Sequence, residues 1–244
     1  MGDALMEQNL ANTSTLWSLV TEANHGPEDA ARRARETLLE RYKGAVYRYL
    51  LGALHDSNAA DDLAQEFFLR FVRGDLRNAN PEKGRFRDLV KTTLFHLIVD
   101  YQRRRKGQPQ PLPPDDCGPA ASEDSALTSE EQFLDSWRQQ LLSQAWKALR
   151  ARDTTYYAVL RLRAEKNDLS SAEMAERLSE QLGNTVSADW VRTRLKRARE
   201  QFADLLLDEL IQSMDNPTRE RLEEELADLR LLMYCQDAVA RRGG

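Results

Sequence analysis

Four side chains with acid–base or ligand capacity, Asp61, Asp62, Gln65 and Glu66, recur at three- to four-residue spacing in DDLAQEFFLRFV, with Leu69 on the same helix face. Paired carboxylates can move protons or hold a cation, but either use needs company: a histidine, a second acidic cluster or a glycine-rich phosphate loop. None stands beside them in sequence. Of the 3 histidines, His55 falls in the turn HDSN with no second ligand or base nearby. The 2 cysteines, Cys117 and Cys235, make neither a metal-ligand spacing nor a disulfide framework. The face reads as a polar docking surface with one exposed leucine, suited to a basic partner helix. No catalytic residue, cofactor or metal site is expected.

Cations gather in two other places. The stretch PEKGRFRDLVKTTLFHLIVDYQRRRKG (81–107) places Phe86, Leu89, Val90, Leu94, Leu97, Ile98 and Tyr101 on one stripe of an amphipathic helix. Its other side offers Lys91, Thr92, Phe95, His96 and Val99, and it runs out into Arg103, Arg104, Arg105 and Lys106. A loop with Asn78, Asn80, Lys83 and Arg85 precedes it, and Arg87 opens its first turn. Such a helix buries the stripe and shows a mixed basic and aromatic face to a partner. The second cluster, SADWVRTRLKRARE, carries Ser187, Asp189, Trp190, Arg192, Thr193, Arg194, Lys196, Arg197 and Arg199 around a core stripe of Val191, Leu195, Ala198, Phe202 and Leu205. A capped helix with Glu173 in its first turn and a stop at Gly183 precede it. That order fits a helix-turn-helix, or a plain helical hairpin with a cationic face.

The elements that must position these groups are all helical. A short helix after Ser14 or Thr15 is broken by Gly26-Pro27, and a long one from Glu28 carries Leu38, Leu39, Tyr42, Val46, Tyr49, Leu50 and Leu54. Between Gly107 and Glu130 stand five of the 8 prolines, several acids and no base, the composition of a flexible linker. From Ser129 a new stripe begins, with Phe133, Trp137, Leu141, Ala145, Trp146 and Leu149. The tail, with Leu222, Leu226, Leu229 and Met233, reads as one acidic amphipathic helix, either packed on the second domain or regulatory. The expected organisation is all-α: a disordered start (1–13), a helical domain (14–106), a linker (107–130), a second domain (131–212) and a C-terminal helix (213–244). Charged residues at 31% and a mean hydropathy of −0.66 fit a soluble chain. No run of apolar residues is long enough for a membrane span, and the N-terminus lacks the pattern of a signal peptide. A net charge of −5 argues against indiscriminate coating of nucleic acid and leaves local basic patches to do any docking.

Three segments together resemble a known family. DDLAQEFFLRFV resembles the region 2.2 motif of RNA polymerase sigma factors, GRFRDLVKTTLFHLIVDYQRRR is similar to their regions 2.3–2.4, and VSADWVRTRLKRARE is similar to region 4.2. Their order, the acidic linker and the small size resemble the extracytoplasmic-function (ECF) subfamily. TSTLWSLV, QEFF and PEKGRFRDLV are similar to the variant abundant in planctomycete-type bacteria. The resemblance covers roughly residues 14–210. It implies a cytoplasmic, non-enzymatic initiation factor whose partners are core RNA polymerase (β′ clamp and β flap) and promoter DNA. A protein inhibitor of the anti-sigma kind, or control by the C-terminal helix, is also implied. Asp61, Asp62, Gln65, Glu66 and Leu69 would meet the polymerase. Asn78, Asn80, Lys83, Arg85, Arg87, Lys91, Thr92, Phe95, Arg103 and Arg104 would open and read the −10 element. The set from Ser187 to Arg199 would read the −35 element. Leu89 stands where relatives often carry Trp, and Trp190 where they usually carry a small residue. A stand-alone helix-turn-helix regulator and a helical protein-binding adaptor are the alternatives.

Overall fold

The computed structural model describes residues 16–73, 85–105, 107, 123–214 and 217–242. Among them it contains ten helices and no strand, the all-α class that the sequence predicts. The described residues divide into two compact units, one drawn from 12–140 with 212–217, the other from 141–211 and 218–244.

In the first unit α1 (Leu16–His25) and α2 (Glu28–Leu54) pack together across the Gly26-Pro27 break. Pro27 stands at the N-cap of α2, and Glu28 and Asp29 sit against the positive end of its dipole. His55 ends the helix in the left-handed region (φ 52°), its N–H bonded to the Leu51 carbonyl at 2.9 Å. The Asp56 carboxylate then accepts the N–H groups of Asn58 (3.0 Å) and Ala59 (3.2 Å), which starts α3 (Ser57–Arg73). Helix α4 (Phe86–Arg105) packs on α2 and α3 through Phe86, Val90, Leu94, Leu97 and Ile98.

The remaining wall is the first part of α5 (Glu123–Arg152). Trp137 stacks on Tyr42 at 5.0 Å with the planes 16° apart, Phe86 tilts against Tyr42 at 5.5 Å, and Phe133 meets Tyr49 edge-on at 5.3 Å. Such pairs add about 0.5–1.5 kcal/mol each beyond their burial. Buried Gln140 donates to the Arg41 carbonyl (2.5 Å) and accepts from Arg48 (2.9 Å). This is why residue 44 is glycine: a Cβ there would lie 2.5 Å from the Gln140 oxygen. The sequence reading ends the first domain at 106 and gives 131 onward to the second. In the structure α5 already runs from Glu123, inside the expected linker, and Phe133, Trp137 and Gln140 belong with α2 and α4. An amphipathic stripe states that it has a core side, not which core; residues 108–122 of the linker lie outside the described residues.

The second unit holds the rest of α5 with α6 (Thr154–Glu165), α7 (Ser171–Leu182) and α8 (Ala188–Gln212) around Leu149, Val159, Met174, Leu178, Val191, Leu195 and Ala198. Each start is capped. Asp153 accepts the Tyr156 N–H at 2.9 Å, Ser170 and Glu173 close a capping box, and Ser187 accepts the Trp190 N–H at 3.1 Å. Gly183 (φ 68°) stops α7, a conformation that favours glycine. Ser179 then ties down the turn by accepting the Val186 N–H at 2.9 Å.

The tail differs from the single helix expected of it. It forms α9 (Arg219–Asp228) and α10 (Leu232–Arg242), joined at Arg230, whose φ is 55°. Buried Leu229 and Leu231 flank that bend, so the helical register restarts. Cys235, Ala238 and Val239 are buried, and Met233, expected on the core stripe, is 85% exposed. Arg241 pairs with Asp204 and Arg242 with Asp208, each at 2.8 Å, which holds α10 beside α8. No helix among the described residues is long and apolar enough to cross a membrane.

Candidate polymerase and nucleic-acid interfaces

Three surfaces collect the residues singled out by the sequence. The first is a groove of about 500 Å³ between α2 and α3, lined by Leu39, Lys43, Tyr47, Asp61, Ala64, Gln65, Phe68 and Leu69. Asp61, Asp62 and Gln65 are exposed, and Leu69 keeps 52% of its surface in water. The complete stripe of Leu63, Phe67 and Phe71 on the opposite side of α3 leaves this face for something else. Glu66 differs from its neighbours: half-buried, it accepts from Arg70 at 2.5 Å and lies 3.6 Å from Arg104. Leu39, expected in the core beside Leu38, is instead 37% exposed on the groove wall. Leu38 already occupies the buried stripe, and the next residue turns about 100° away. Lys43 and Tyr47, one and two turns further on, share that wall and were not singled out in the sequence. Only their spacing from Leu39 would have found them.

The second surface is α4. Thr92 and Arg104 are exposed, and Phe95 and Arg103 are half-buried; Phe95 lies 6.1 Å from His96, ring to ring. Lys91 is already engaged, 2.8 Å from the Glu130 carboxylate of α5. Arg87, expected on the nucleic-acid face, is buried at 7% exposure with Asp88 3.9 Å away. It lies three residues before Val90 and seven before Leu94, so helical geometry turns it into the core stripe whatever its charge. Arg85 precedes the helix, its carbonyl accepting the Asp88 N–H. Asn78, Asn80 and Lys83 lie outside the described residues.

The third surface is the first half of α8. Arg192, Thr193, Lys196, Arg197 and Arg199 are exposed, and the latter three cations have no ion pair among the described residues. Arg192 is paired with Asp189 one turn before it. Arg194 is half-buried, with its guanidinium over the rings of Trp190 and Tyr156. Beside the start of the helix an open cleft of about 660 Å³ is lined by Thr155, Leu182, Asn184, Thr185, Val186, Ser187 and Trp190. An exposed row of cations on a well-capped helix can meet a phosphate backbone and reach base edges in a wide groove. Among the described residues no group of His, Cys, Asp and Glu is arranged to hold a metal ion.

Residues 38–108 match the family model of sigma-70 region 2. This segment runs from the middle of α2 through α3 and α4 and carries the first two surfaces. Neither a curated protein nor a solved structure matches the chain.

Proposed function

We propose that the chain, which carries a sigma-70 region 2 segment, is an initiation factor of the ECF subfamily: it binds core RNA polymerase and directs it to a class of promoters. The observation that carries this reading is the match over residues 38–108, which spans both the α2–α3 groove and the α4 face. The groove, with Leu69, Asp61 and Gln65 in its lining, is the polymerase contact together with exposed Asp62, and the polar groups give orientation while the leucines and Phe68 give buried area. The α4 face and the loop before it take the unpaired −10 strand, with cations for the phosphates and Phe95 for an unstacked base. α7, its turn and α8 act as a helix-turn-helix on the duplex −35 element. The RNA chemistry is the polymerase's, and the factor works in the cytoplasm where that enzyme is.

Run-off transcription with core polymerase on a promoter library tests the proposal. Transcripts that start at one class of site only when the chain is present are expected; initiation unchanged by the chain would overturn it. One observation favours a second reading. Arg192, Lys196, Arg197 and Arg199 of α8 are exposed, as a stand-alone duplex-binding regulator would have them. Tight, sequence-selective binding of duplex by the chain alone, with no gain on adding core polymerase, would select that reading.

A further inference from the structure

Trp190 is an odd residue for the first turn of a cation-bearing helix. Its backbone N–H is held by the Ser187 cap, and its ring packs partly on the core of the second unit and partly lines the open cleft. One turn later the Arg194 guanidinium sits 5.5 Å from the centre of the Trp190 ring and 5.7 Å from that of Tyr156. Its Nη1 donates to the Tyr156 hydroxyl at 3.5 Å. Tyr156 is fixed in turn, since its backbone N–H is bonded to the Asp153 carboxylate at the start of α6. Two capped first turns, of α6 and α8, are thus joined through one guanidinium. Among the described residues Arg192 and Arg197 have no such ring contacts, and both remain exposed.

A guanidinium engaged by two rings, and by the hydroxyl of one of them, is poorly placed to pair with a guanine edge as well. We infer that Arg194 is a positioning residue and that the group it positions, Trp190, reads the 5-methyl of a thymine in the duplex. In the major groove that methyl is the one apolar mark on a base pair, and it is recognised by apolar contact rather than hydrogen bonds. Trp190 is the large apolar side chain at the end of α8 from which a groove-bound helix touches bases. Its indole is held at a fixed angle, so the contact costs little side-chain ordering.

The inference rests on the duplex-reading role proposed for α8, and the experiment separates the two. Holoenzyme is assembled from core polymerase and the full chain, and its binding is measured on the duplex promoter selected by run-off transcription. Each thymine of the upstream element is replaced in turn by uracil, which lacks only the methyl. Wild type should lose roughly fourfold at one position, the fold-change equivalent to about 0.8 kcal/mol for one buried methyl-sized group. W190A should be indifferent to that replacement, while W190F should keep part of the sensitivity. R194A should blunt it and R194K restore it, with discrimination at guanine positions intact in both. A flat uracil scan in a wild type that binds selectively would overturn the inference and leave the sigma-factor reading standing. So would a W190A variant that keeps the sensitivity, or an R194A loss confined to one guanine. If wild-type holoenzyme shows no preference for the upstream element at all, the duplex-reading role itself falls.

Discussion

Leu69 and Lys91 show how differently two candidate contact residues are prepared. Leu69 has no internal work to do: it is 52% exposed, beside a groove, on a helix whose core side is complete. Leu69→Ala should therefore shift stability by no more than about 0.5 kcal/mol. It should weaken core-polymerase binding by roughly 1–2 kcal/mol, read by competition against wild type. Equal competition would remove the groove from the contact. Lys91 instead meets Glu130 at 2.8 Å, with 31% and 52% of the two side chains exposed. A pair that open to water is worth about 0–1 kcal/mol, so releasing it is cheap. Glu130→Gln should leave the melting temperature nearly unchanged. It should also steepen the salt dependence of single-strand binding by about 0.7 in log–log slope, the share of one more phosphate contact. An unchanged slope would mean that Lys91 does not face the strand.

At the scale of elements, the caps determine where the cation-bearing helix begins. Ser170→Ala should cost about 1 kcal/mol, measured by thermal melting, because it opens the capping box of α7. Hydrogen bonds from Ser170, side chain first and then backbone, hold the Glu173 carboxyl below its ordinary value. A depressed carboxyl stabilises the fold above its unfolded value and loses that contribution as pH falls through the folded one. The second unit should therefore weaken on acidification, and Glu173→Gln should remove part of that dependence. The Ser170 and Ser187 starts and the Gly183 stop were readable in the sequence, because a cap depends on residues three or four apart. The helix types and the α8 stripe were readable for the same reason. What was not readable depends on partners distant in sequence: Lys91 with Glu130, Arg194 with Tyr156, and the choice of core by Phe133 and Trp137. Arg87 is different. Its place on the stripe was there in the spacing, but its charge argued for the surface and geometry prevailed.

For the molecule as a whole, the unit containing the region 2 match does not end where the match ends. The match stops at residue 108, yet Tyr42, Tyr49 and Phe86 are closed over by Phe133 and Trp137. A chain cut after residue 106 should be less stable than one cut after 140, with a lower denaturant midpoint. Trp137→Ala in the full chain should cost about 3–5 kcal/mol, the usual range for emptying so large a buried site. Identical midpoints for the two truncations would mean that α5 merely leans on a core already complete without it.

The buried thiol of Cys235 makes the tail a clock. The side chain is fully buried between the bend at Arg230 and the arginines that tie α10 to α8. Burial, and then the charge of Asp204, push its pKa up to about 11 from an ordinary 9.0. Alkylating reagents attack the thiolate, so while the tail is seated the reaction must wait for it to lift. In a Cys117→Ser chain the labelling rate of the remaining cysteine then follows the fraction of time for which the tail is lifted. The proton matters as well. The folded state keeps it where a solvated thiol would release it, so its stabilising contribution is complete below pH 9.0 and drains away as the pH climbs towards 11. Labelling should accelerate across that interval by more than the growth in thiolate alone accounts for, and hydrogen exchange of α10 amides should lose this extra acceleration in Cys235→Ala. A rate that follows thiolate fraction and nothing else would mean the tail opens no more readily at high pH than at neutrality.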